Sequence, residues 1–170
     1  MWRRLASFLY LLPWHQVSGR YDHYDVLVYR ATPGGIAAAI SDAEMGSRVL
    51  LLEPSSHVGG MATEGGIGLR DGPDYMRSDP RNSQYQWGRR NAMNYGIDDG
   101  DSDGDNVIWQ PDHFVGESNF LEMLDESGVE LLLDTDFVEG PSGVRIDSSA
   151  SAGSRRIDAI LLENHTWVQA

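Results

Sequence analysis

Apolar residues cluster at the front of the chain in two unbroken runs with a periodic stripe between them. Asp25 to Tyr29 (DVLVY) is a run of strand formers without alternation, the pattern of a parallel strand covered on both faces. Thr32-Pro33-Gly34-Gly35 supplies a turn, and Ile36, Ala39, Ile40 and Ala43 then recur at i, i+3, i+4 and i+7, the stripe of a helix packed on a sheet. Gly46 stops that helix. Val49 to Leu52 is the second unbroken run, and Glu53 closes it. The pattern predicts parallel strands at 25–29 and 48–53 with a helix at 35–45 between them.

Further along, Asn82 to Tyr95 carries aromatics and arginines and reads as a helix, followed by a solvated acidic loop from Asp98 to Asn106; together they form an insertion over about 72–112. Glu117 to Ser127, stopped by Gly128, carries Phe120, Leu121, Met123 and Leu124 and predicts a second packed helix over 117–127. A strand at 130–134 and a β-meander from 136 to 164, with Ile157 to Leu162 as its last strand, complete an α/β reading of the fold.

The first of these elements carry chemistry. Backbone N–H groups at a helix N-terminus, with no side chains in the way, face a pyrophosphate and gain the partners they otherwise lack. An acid about 20 residues past such a turn, at the end of the next strand, stands where a ribose hydroxyl is held, which points to a dinucleotide. The glycines are imperfect. Aligned on Gly35 as the third glycine of G-x-G-x-x-G, the second position is Thr32 and the first is Arg30. The order strand, turn, helix, strand, acid therefore carries the reading. Pro54 to Gly68 (PSSHVGGMATEGGIG) is too rich in glycine for a helix and forms a loop that can lie along an extended cofactor.

The turn, Glu53-Pro54 and His57-Val58-Gly59-Gly60-Met61 together resemble the FAD-dependent oxidoreductase family of the glutathione-reductase-like flavoproteins, whose members read Y-G-x-T-P-x-G-I-A-A-A, then E-P, then H-x-G-G-M. Gly66 to Asp71, the stretch around Trp109-Gln110-Pro111, and Phe114-Val115-Gly116-Glu117 extend the resemblance over roughly residues 24 to 165. It implies a Rossmann-like, FAD-binding three-layer fold with a parallel sheet and a β-meander, FAD as cofactor, and flavin-mediated hydride or electron transfer on a small-molecule substrate. Thr32, Pro33, Gly34 and Gly35 would form the pyrophosphate turn. Glu53 would meet the adenosine ribose, Gly60 and Met61 the stretch from phosphate to flavin, and the Phe137 backbone would flank the adenine. Arg30 departs from the family glycine, and its side chain either obstructs the cofactor or pairs with a phosphate.

Members of the family are several times longer than 170 residues. Residues 20–170 are thus expected to be the N-terminal part of the FAD-binding domain, incomplete at the C-terminus and without the substrate-binding half. A truncated, non-catalytic remnant with weak or no nucleotide binding is the alternative. A small NAD-binding module is disfavoured by the long glycine loop.

Composition narrows the setting. With 41% apolar residues, a net charge of -13 and basic residues that are all arginine, the chain reads as soluble, acidic and globular, a poor match for nucleic acid. There is no cysteine, hence no disulfide, thiolate metal site or cysteinyl-flavin link. Met1-Trp2-Arg3-Arg4, the apolar Leu5 to Leu12, and Val17-Ser18-Gly19 give residues 1–19 the outline of a secretory signal, its apolar run too short to span a bilayer. Secretion is the expectation, with the cytoplasm otherwise. Asp99, Asp101, Asp103 and Gly104 fall at positions 1, 3, 5 and 6 of a calcium loop, but position 12 is Gln110, which favours a plain charged insertion. His57 beside the Gly-Gly pair either contacts the cofactor or faces solvent. No nucleophile with a neighbouring base is visible, so no catalytic residue is named, and nothing in the sequence speaks to oligomeric state.

Overall fold

Strand β2 (Val49–Leu52) is buried along its whole length, and everything else is layered around it. The computed structural model describes residues 23–63, 83–96, 107–108, 110–147 and 156–169. The signal-like residues 1–19, the 64–82 stretch with its GIGLRD segment, and the calcium-like positions 99–104 lie outside them.

A parallel sheet orders the strands β1 (Val26–Tyr29), β2 and β3 (Glu130–Leu132), with Val26 opposite Val49 and Leu50 opposite Glu130. Parallel neighbours need a crossover, and α1 (Pro33–Glu44) provides it between β1 and β2. Val49 and Leu51 face the helical side, where they meet Ile36, Ala39 and Ile40 of α1 together with Trp87, Phe120 and Met123. Leu50 and Leu52 face the other way, into Tyr24, Leu162 and Val168. Both faces of β2 are therefore dry, which is why its sequence shows no alternation. Each of its leucines gives up about 2 kcal/mol if returned to water.

The second face is covered by an antiparallel sheet ordered β4 (Val144–Asp147), β5 (Arg156–Leu161), β6 (Trp167–Gln169). Helices, parallel sheet and antiparallel sheet make the three-layer α/β fold expected from the sequence. On the helical side, α2 (Ser83–Asn94) packs on α3 (His113–Glu126). Trp87 stacks on Phe120 at 4.7 Å and donates its indole N–H to Gly116 O at 2.8 Å. Asn91 and Asn119, both buried, bond side chain to side chain at 2.7 Å; Asn91 also donates to Ile108 O, and Asn119 accepts from Asn94. At the rim Arg90 pairs with Glu126, and that hydrogen bond holds the Glu126 carboxyl below its ordinary value.

Three expectations change. The run at Asp25 to Tyr29, expected to be covered on both faces, is only half buried: β1 lies at the edge of the described sheet, with β2 on one side of it and nothing described pairing on the other. Helix α3 begins at His113, not Glu117, and takes in Gly116 as a contact point: a Cβ there would stand 3.0 Å from the Trp87 ring and 3.1 Å from Pro111. Ile157 to Leu162 is not the last strand of the meander but the middle one, with β6 returning beside it. Asp25, just before β1, accepts the Arg48 N–H at 2.8 Å. No helix among the described residues is long and apolar enough to cross a membrane.

Candidate functional site

The carboxyl ends of β1 and β2 meet the N-terminus of α1, the place where open α/β sheets bind their ligands. Thr32 is the N-cap of α1: its backbone is extended and its hydroxyl accepts the Gly35 N–H at 3.2 Å. Pro33 follows at the first helical position, where its fixed φ suits the helix and its missing N–H costs nothing. Among the described residues nothing accepts the Gly34 N–H, and the space at its α-carbon is open, the nearest atom to an added Cβ being the Thr32 hydroxyl at 3.9 Å. Gly35 is the opposite case. A Cβ on it would lie 2.1 Å from Arg30 O, so only glycine lets helix and strand approach this closely.

Glu53 ends β2 and is only 5% exposed. Its Oε2 accepts the Ala31 N–H at 2.8 Å and its Oε1 the Ser55 N–H at 3.0 Å. Ala31 in turn accepts the Gly59 N–H at 2.7 Å, which draws the loop after β2 against the turn. Gly60 lies beside Thr32, 3.7 Å separating the position of an added Cβ from Thr32 Cγ2. The structure thus gathers Thr32, Pro33, Gly34, Gly35, Glu53 and Gly60 around one crevice. Met61 follows Gly60 in a single turn of 3-10 helix, its side chain exposed.

Phe137 stands apart from that group and reaches it through Tyr29. Its ring meets Tyr29 edge-on at 4.8 Å, and its N–H is taken by Asp136 Oδ1 at 2.8 Å. The same Asp136 oxygen accepts the Tyr29 hydroxyl at 2.9 Å; desolvation first, and this hydrogen bond second, push the phenol above its ordinary value. His57 does not face solvent alone, for its Nδ1 lies 3.0 Å from Glu117 Oε1. Ala31, Ser55 and Glu117 were missed from sequence. The first two act through backbone N–H groups, which carry no sequence signal, and Glu117 reads as an ordinary polar helix residue.

Arg30 has φ of 80°, in the left-handed region that glycine favours. Its guanidinium stands 3.9 Å from Glu53 Oε1 and 5.4 Å from the centre of the Tyr29 ring. Relief of the strained φ, about 1–2 kcal/mol, is partly offset by the freer unfolded chain of a glycine and the loss of a long ion pair whose arginine is exposed. Arg30→Gly is therefore expected to stabilise the fold by about 0.5 kcal/mol and to increase flavin retention by clearing the turn. Urea unfolding and flavin titration at low and high salt check both; weaker, less salt-sensitive binding by the glycine variant would mean that the guanidinium pairs with phosphate.

The sequence matches the FAD dependent oxidoreductase family over residues 25–168. The chain belongs to that family. FAD is accordingly the cofactor of this flavoprotein. Among solved structures its fold is similar to Thermovibrio ammonificans THI4, with a TM-score of 0.51 and 15% identity over 87% of this chain and 55% of that one. L-proline dehydrogenase from P. horikoshii gives 0.52 and 14% over 88% of this chain and 51% of that one. An oxidised steroid monooxygenase bound to NADP gives 0.53 and 16% over 88% of this chain and 25% of that one. At such identities the likeness shows the fold, and the flavoprotein spans about half the length of the first two structures. The comparison with curated proteins gave no match.

The donor set suits FAD. An open Gly34 N–H at a helix N-terminus meets the need of a pyrophosphate, and a fixed carboxylate with lone pairs to spare meets that of a ribose hydroxyl.

Proposed function

We propose that this flavoprotein is the FAD-binding part of an oxidoreductase acting on a small molecule. Gly34 and Gly35 receive the pyrophosphate at the start of α1, with Thr32 and Pro33 holding the turn in shape. Glu53 takes the adenosine ribose, Gly60 and Met61 line the stretch toward the flavin, and the Phe137 backbone borders the adenine. When bound, FAD supplies the hydride or electron transfer, and the protein supplies position and electrostatics. One observation carries the reading: Glu53 and Ala31 tie the turn and the Gly59-Gly60 loop together around a helix N-terminus left open at Gly34.

Titration of the purified protein with FAD, followed by flavin fluorescence and by the shift in unfolding temperature, tests it. Saturable binding with a raised unfolding temperature is expected. No binding and no shift, with ADP equally inert, would defeat it. One observation favours a second reading, a remnant that binds nucleotide weakly: the Arg30 guanidinium stands beside the acid meant for the ribose.

A further inference from the structure

The loop after β2 is held from behind by α3. Glu117 Oε1 accepts the buried Val58 N–H at 3.1 Å and faces His57 Nδ1 at 3.0 Å. On the same side of α3, the Phe120 ring closes over Gly59, where an added Cβ would lie 2.9 Å from it, and Gly116 backs the Thr63 methyl. Thr63 itself bonds through its hydroxyl to Val58 O. The loop then holds the turn, because Gly59 donates to Ala31 O and Ala31 donates to Glu53 Oε2. A continuous line of hydrogen bonds and backbone so runs from Glu117, through Val58 and Gly59, to Ala31 and the acid at the end of β2.

We propose that Glu117 is a positioning residue for the FAD site: without touching the ligand, it sets the approach of the Gly59-Gly60 loop to the Thr32–Gly35 turn. Gly59 has φ of 98° and no ladder or helix to hold it from its N-terminal side. On that side the Val58 N–H is held by Glu117, and a buried N–H must keep an acceptor or move to find one. The requirement is for an oxygen, not for a charge. The His57 side chain is 51% exposed, and ion pairs of that kind add little. A glutamine can offer its carbonyl oxygen to Val58 and its amide hydrogens to His57 Nδ1; an alanine offers neither.

The binding part of this inference rests on the FAD reading above, so the test has a second arm that does not. Glu117→Ala, Glu117→Gln and His57→Ala are compared by FAD titration and, in the ligand-free protein, by amide hydrogen exchange at Val58, Gly59 and Ala31. Glu117→Ala is expected to weaken FAD binding about tenfold and to speed exchange at all three amides while β2 and the α2–α3 contact stay protected. Glu117→Gln should restore both to within about twofold, and His57→Ala should resemble the wild type. Unchanged exchange at Gly59 and Ala31 in Glu117→Ala would overturn the proposal, as would a glutamine variant no better than the alanine one. Should the wild type take up no FAD while the amides loosen in the alanine variant and recover in the glutamine one, the FAD reading fails and the positioning role stands.

Discussion

Gly35→Ala is expected to cost about 3 kcal/mol of stability and to abolish flavin retention, while the same change one residue earlier leaves the fold intact. Alanine is ordinarily the better helix former, so propensity predicts a gain at both positions. Geometry reverses the sign at Gly35, where the new methyl would lie 2.1 Å from Arg30 O, a backbone atom tied into the turn that cannot swing aside. Strand and helix would have to part, and the Ala31 bonds to Glu53 and Gly59 would part with them. At Gly34 the nearest atom is 3.9 Å away, so Gly34→Ala should hold its stability to within about 0.5 kcal/mol. The space it fills is the space proposed for the pyrophosphate, so its flavin affinity should fall all the same. Urea midpoints at constant slope measure the first effect and flavin titration the second. Equal midpoints for the two variants would sink the close-packing account.

Glu53→Gln keeps the shape of the side chain and removes one acceptor. Both carboxylate oxygens are in use, one on Ala31 and one on Ser55, in a side chain that is itself buried. An amide has a single oxygen, so its NH₂ must confront one of the two N–H groups. About 2 kcal/mol of stability should be lost, the cost of a buried donor left without its partner. Flavin affinity should drop by a further 1–3 kcal/mol or about that through the lost charge-assisted bond. Unfolding and titration of the same samples separate the two, and unchanged flavin binding in the folded variant would remove Glu53 from the site.

The sequence was most legible where one residue does one job. Unbroken apolar runs marked β1 and β2, a regular stripe marked α1, and Glu53 stood out as an acid ending a buried strand. Pattern along a strand reports which faces are covered but not which edges are paired, so nothing in Asp25 to Tyr29 could show that β1 lies at the rim. Strand β6 is three residues long and follows a turn through Asn164 and His165, too short for any period to register. The helix start reads four residues late, at Glu117, because the contact of Gly116 with Trp87 leaves no mark in local sequence. Glu117, Asn91 and Asn119 were unremarkable for the same reason: polar residues in helices read as solvated until a partner from another segment is seen opposite them.

The paired asparagines have a consequence for how α2 and α3 can lie together. Apolar surfaces tolerate sliding, since one leucine contact is much like the next. A slip of one helical turn, about 5.4 Å, would part the Asn91 and Asn119 side chains and break their buried hydrogen bond, at about 1–2 kcal/mol. The pair acts as an index pin that favours one alignment of the two helices. Trp87 is thereby kept over Gly116, and the stretch of α3 from Gly116 to Phe120 is delivered at one fixed height, so the Gly59-Gly60 loop meets a stop rather than a cushion.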